Sequence, residues 1–135
     1  MEQKQDLEFF AAPVEQAKTL SRAQVTEFNE LGYISPLDAL TPTEATANRA
    51  YFDELLARVT AFDDGRNAYS IMGYQNHCKG IWDLAQHPSI LDYVEDLLGP
   101  DFVCWSSHYF CKLPQESKHV PWHQDASYRP VRPTK

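Results

Sequence analysis

Residues 87–114 read HPSILDYVEDLLGPDFVCWSSHYFCKLP, and the change of character inside this stretch decides the fold class. In its first half Pro88 suits the opening turn of a helix, where its missing N–H costs nothing. Ile90, Leu91, Val94, Leu97 and Leu98 then recur at helical spacing, and Gly99-Pro100 stops the run. Residues 102–112 are different: aromatic and small side chains mix without a helix breaker. That composition predicts one long strand, able to cross a whole sheet.

Working back toward the N-terminus, the signals are helical. Thr41-Pro42-Thr43-Glu44 combines a capping residue, a proline at the first helical position and the glutamate of a capping box. Phe52, Leu55, Leu56 and Val59 follow on one face, and Asp63-Asp64-Gly65 is the expected end. An earlier helix opens at Ser21, boxed by Gln24, with Val25, Phe28 and Leu31 as its stripe and Gly32 as its terminator. Residues 33–37 read as a short strand that Pro36 confines to an edge. Residues 1–20 are weakly patterned and predict a loose arm. Residues 68–80 have no clean period and are assigned to loop with a short strand, and 81–86 to a short helical segment.

Working forward, residues 118–128 read as the next strand, reached through a Pro114-containing turn. Helices first and strands last predict an α+β domain over residues 21–135, preceded by the arm of residues 1–20. The expectation is that the helices starting near Ser21, Thr41 and Pro88 pack on one side of a sheet that has only begun when the sequence ends. The domain is thus expected to be incomplete at its C-terminus.

Charge and composition exclude some functions. A net charge of −7 leaves no footprint for a phosphate backbone, so nucleic acid is not an expected partner. The N-terminus lacks the apolar core of a signal peptide, and no apolar run could span a bilayer. Cys78, Cys104 and Cys111 match no zinc spacing; a reducing cytoplasm with buried, inert thiols is the expectation. Trp82 and Trp105 are expected in the core, and the acidic residues of the helices on solvated faces.

The chemistry sits in His123-Gln124-Asp125. On a strand, residues i and i+2 point the same way and lie about 6.6 Å apart. An imidazole and a carboxylate so placed can converge on one divalent metal, supplying two vertices of a 2-His-1-carboxylate site. The bland alternative is a solvated His-Asp pair at a strand end. Aromatic neighbours, Trp122 and Tyr128, favour the metal reading, because sites for O₂ chemistry are walled from solvent. Ser106, His108, Phe110 and Lys112 share one face of the long strand, where His108 is either a core histidine or a binding group.

Gly99-Pro100-Asp101-Phe102-Val103-Cys104-Trp105, then Phe110-Cys111-Lys112-Leu113-Pro114, then Trp122-His123-Gln124-Asp125 resembles the phytanoyl-CoA dioxygenase-like family, as does the helix from Ser21 followed by Tyr33. The resemblance covers roughly residues 20–135 and is strongest from Pro88 onward. It implies a double-stranded β-helix of jelly-roll or cupin type. It also implies Fe(II), 2-oxoglutarate and O₂, and hydroxylation of a small organic molecule. His123 and Asp125 map onto two of the family's three iron ligands, and His108 onto a position that contacts 2-oxoglutarate. Related halogenating enzymes keep the carboxylate position small, so Asp125 implies hydroxylation instead. The family's second iron-binding histidine and the basic residue that anchors 2-oxoglutarate lie beyond Lys135, so the 135-residue chain alone is expected to be inactive. A non-catalytic metal- or ligand-binding remnant of the same fold is the rival reading. A zinc hydrolase ranks below both, since no catalytic base accompanies the pair.

Overall fold

The computed structural model describes residues 9–62, 70–115, 117 and 119–123. Four helices dominate them: α1 (Arg22–Leu31), α2 (Pro42–Ala61), α3 (Lys79–Ala85) and α4 (Pro88–Leu98). Two short strands, β1 (Ser70–Met72) and β2 (His108–Phe110), form an antiparallel pair with Ile71 opposite Tyr109.

The helix ends follow local chemistry. Ser21 accepts from the Gln24 backbone N–H while the Gln24 side chain accepts from the Ser21 N–H, and Thr41 and Glu44 repeat the arrangement on α2. Each box satisfies donors that the first turn leaves without carbonyl partners. Gly32 ends α1 with φ +76°, a left-handed conformation that a side chain would strain. The predicted terminator of α2, at residues 63–65, lies outside the described residues; the helix runs to Ala61, with Phe62 as its C-cap.

Two apolar clusters hold the chain together. Leu55 and Val59 of α2 meet Ile71 of β1 and Ile81 of α3, with Phe52, Leu56 and Tyr109 packed around them. The predicted α2 stripe is therefore covered by the two-stranded sheet and α3. At Gly80 the α3 backbone comes so close to Tyr51 that a Cβ would stand 2.6 Å from its ring. The second cluster joins Ala12, Leu20 and Val25 with Phe28, Ile34, Tyr93 and Leu97. So α1 packs on residues 12–20 and on α4 instead of on a sheet, and the expected loose arm is tied down from Ala12 onward.

Asp96 does the tying. It is buried in α4, and its carboxylate accepts the backbone N–H of Lys18 at 2.8 Å and those of Thr19 and Leu20 at 2.7 Å. Burial raises the Asp96 pKa, but the donors from Leu20, Lys18 and Thr19, with the Lys18 charge behind them, outweigh it and leave it below the usual carboxylate value. The expectation that the acidic residues of this helix are solvated fails here. Beside it, Lys18 Nζ meets Glu95 at 2.6 Å on the exposed surface.

The expected double-stranded β-helix is not what the described residues form: they are helical with one two-stranded sheet. The reason lies in residues 102–112. A strand exists where a neighbour completes its ladder, and only His108–Phe110 meets one, at Ser70–Met72. Residues 101–107 carry no regular structure, and Gly73 donating to the Ser107 carbonyl extends the pairing by one bond. Residues 33–37, expected as an edge strand, have no ladder either. The strand expected at 118–128 falls largely outside the described residues, and 119–123 are not strand. Trp82 and Trp105, expected in the core, are exposed, as is Cys104; Cys111 is buried.

Candidate ligand site

The apolar stripe of α4 divides between two neighbours. Tyr93 and Leu97 turn to the cluster around Val25. Ile90, Leu91, Val94 and Leu98 line one wall of a cleft of about 360 Å³. Ile81 and Leu84 of α3 continue that wall, and the incoming segment from Phe102 closes the other side. The lining turns polar at Ser107-His108-Tyr109, where the segment enters β2. The sequence signal for this cleft was present in the α4 stripe, which is wider than one packing partner needs.

The polar end is built by the strand pairing. Tyr109 faces the core: it stands opposite buried Ile71 and its ring lies against Phe52, centroids 5.0 Å apart and tilted 58°. Burial, and then neighbouring Tyr51, push the Tyr109 phenol up, so it keeps its proton at neutral pH. Its hydroxyl is buried with no hydrogen-bond partner among the described residues. Ser107 is engaged with Gln75, its Oγ donating to Oε1 at 3.0 Å.

His108 and Phe110 occupy the opposite, exposed face of β2, and their rings stack at 3.9 Å. The shared face expected for these two residues is thus present. His123 is exposed, and its Nδ1 lies 2.9 Å from the Pro121 carbonyl. A carbonyl only accepts, so in the neutral ring Nδ1 carries the hydrogen and Nε2 holds the lone pair. Asp125 lies outside the described residues, and with it the geometry of the His123/Asp125 pair. Among the described residues no three His, Cys, Asp or Glu side chains group so as to hold a metal ion.

A second histidine centre was not signalled by the sequence. His87 caps α4 without a side-chain cap bond, its Nε2 is 3.4 Å from Glu44, and its Nδ1 is buried and unpartnered among the described residues. Glu44 is held down at about 2 by the Thr41 hydroxyl, then by the Thr41 backbone N–H and by His87. These contacts join the start of α2 to the start of α4.

The family model for phytanoyl-CoA dioxygenase (PhyH) matches residues 28–135. The chain belongs to that family. No curated protein and no solved structure matches it. Membership does not carry the family's activity with it. The expected Fe(II)- and 2-oxoglutarate-dependent dioxygenase needs a barrel whose strands bring its ligands onto one centre. The described residues form helices and a single strand pair, with no such ligand group. The dioxygenase reading, and with it the assignment of this chain as an iron enzyme, is corrected on that ground. Among the described residues no helix is long and apolar enough to cross a membrane.

Proposed function

We propose that this chain is a non-catalytic binding member of the PhyH family, taking a small, largely apolar molecule in the cleft between α3, α4 and residues 102–109. The observation that carries the reading is the lining: Ile81, Leu84, Ile90, Leu91, Val94 and Leu98 form an apolar wall, and the few polar residues beside it, Ser107, His108 and Tyr109, come from one segment of the chain. Ligand pockets combine this kind of wall with a few placed polar groups. The three cysteines are free thiols, which suits a reducing compartment such as the cytoplasm.

Nile red, a neutral dye whose emission rises in apolar surroundings, tests the reading. Saturable one-to-one binding is expected, and Val94→Asp should weaken it at least tenfold while far-UV circular dichroism stays helical. No saturable binding, or equal binding by the variant, would sink the proposal. With Fe(II), 2-oxoglutarate and O₂ supplied, the chain should release no succinate.

One observation favours a metal-binding component. The His123 Nδ1 contact with Pro121 sets the tautomer in which Nε2 can ligate, the arrangement that orients metal-bound histidines. His123 and Asp125 are the residues that would hold Fe(II), and His108 the one that would stand beside 2-oxoglutarate. Two protein ligands hold a divalent ion weakly, so Mn(II) should broaden the His123 ring resonances at millimolar concentrations, and less so in Asp125→Asn. Broadening that is absent, or indifferent to Asp125, would remove this component.

A further inference from the structure

A second cavity, of about 220 Å³, lies between α2 and the start of α3, and it shares no lining residue with the apolar cleft. Tyr51, Glu54, Leu55 and Arg58 recur at helical spacing and form its α2 wall, while His77, Cys78 and Lys79 form the other. Backbone contacts fix how far apart the walls stand. Gly80 sits so close to Tyr51 that any side chain there would collide with the ring. The N–H groups of His77 and Cys78 both donate to the Tyr74 carbonyl, at 2.9 and 2.8 Å. Tyr51, Leu55 and Cys78 also belong to the cluster around Ile71, so these lining residues anchor the cavity in the core. Glu54, Arg58, His77 and Lys79 are exposed.

The charges of this cavity run against those of the chain. Arg58 and Lys79 bring two cations to it against one carboxylate, Glu54, in a protein of net charge −7. Among the described residues neither cation has a partner on the opposite wall: Arg58 pairs with Glu54 and Lys79 with Asp83, each within its own helix. Both pairs are exposed, and exposed pairs of this spacing are worth little, so a ligand can take their place. The His77 ring makes no hydrogen bond with the described residues. We propose that the cavity binds a phosphate group, free or carried by a small molecule. A guanidinium meets two phosphate oxygens in a fork, the Lys79 ammonium adds a point charge from the facing wall, and the His77 imidazole donates to a third oxygen. A carboxylate has two oxygens and would leave one of these three groups unused. Reaching the ion takes only rotation of exposed side chains, with the core undisturbed. The proposal goes beyond the cleft reading and does not depend on it.

Inorganic phosphate is the first probe, added at neutral pH with ionic strength held constant by sodium chloride, and the His77 ring resonances are the readout. They should shift saturably, with a dissociation constant on the order of 1 mM, while those of His108 stay in place. Arg58→Gln and Lys79→Gln should each weaken binding at least about fivefold, the scale of one exposed charge-assisted hydrogen bond. Lys18→Gln removes the same charge outside the cavity and should leave binding unchanged. Phenyl phosphate distinguishes the sources: tighter binding than inorganic phosphate marks a phosphorylated molecule as the ligand, and equal or weaker binding marks the free ion. Shifts that do not saturate, shifts that chloride alone reproduces, or an equal loss in Lys18→Gln would overturn the proposal, since each reduces it to screening of the surface. Should the cavity variants not fold, sodium acetate on the wild-type chain decides. It should bind at least about fivefold more weakly than phosphate, and equal binding would overturn the assignment.

Discussion

Residues 12–98 and residues 101–123 use the same kinds of side chain to opposite effect. In the first region apolar residues build two buried clusters, although Leu31, Trp82 and Leu98 stay exposed: Val25 is 0% exposed, Ile71 2% and Val59 3%. In the second, Val103 is 88% exposed, Trp105 78% and Trp122 104%. Hydrophobicity does not separate the two. Helices complete their backbone hydrogen bonds within one segment and then need only a face to pack, which α1–α4 find in each other, in the arm and in β1. An extended segment completes nothing alone, and among the described residues after Ser107 only three find a ladder.

If this contrast is right, the largest loss should come from Asp96→Ala. Three backbone donors at the Lys18–Leu20 turn, that of Leu20 buried and those of Lys18 and Thr19 partly so, would lose their acceptor, at about 3 kcal/mol in urea unfolding. A loss under about 1 kcal/mol would mean that the arm holds to α4 by its apolar contacts alone. Leu55→Ala, which opens a cavity between α2 and the strand pair, should cost about 2–3 kcal/mol.

Acid should act on the same region. Asp96 and Glu44 both have folded pKa values below their ordinary ones. A carboxylate depressed in the folded state contributes stability that is fully present above its unfolded pKa and lost as pH falls through the folded one. The urea midpoint should therefore hold steady above about pH 5 and fall from about pH 4 toward pH 2. In Asp96→Asn that fall should be shallower; an identical slope would show that this carboxylate is not responsible. Thr41→Ala, removing one capping box, should cost about 1 kcal/mol. Trp105→Ser, in the exposed segment, should change stability by less than about 0.5 kcal/mol; a clear destabilisation would show that residues 101–107 pack more than their exposure indicates.

What was legible in the sequence was what is decided locally. Both capping boxes, Gly32, the proline openings of α2 and α4 and the stripe of Phe52, Leu55, Leu56 and Val59 depend on neighbours within a few residues. The role of Asp96 was not legible, because its donors lie 76 to 78 residues away and nothing in the surrounding Glu95-Asp96 pair distinguishes it from a solvated acid. The strand expected at 102–112 shrinks to His108–Phe110 for the same reason: composition shows that residues suit a strand, and only a partner makes them one. The shared face of His108 and Phe110 was foreseen from parity. The same parity places Tyr109 on the core face, against Phe52.

The most direct test of the account is methyl NMR on Ile-, Leu- and Val-labelled protein titrated with octan-2-one. The account predicts saturable shifts at Ile81, Leu84, Ile90, Leu91, Val94, Leu98 and Val103, with Val25 and Leu55, in the two buried clusters, unmoved. An unchanged spectrum, or shifts spread evenly over both sets, would contradict it.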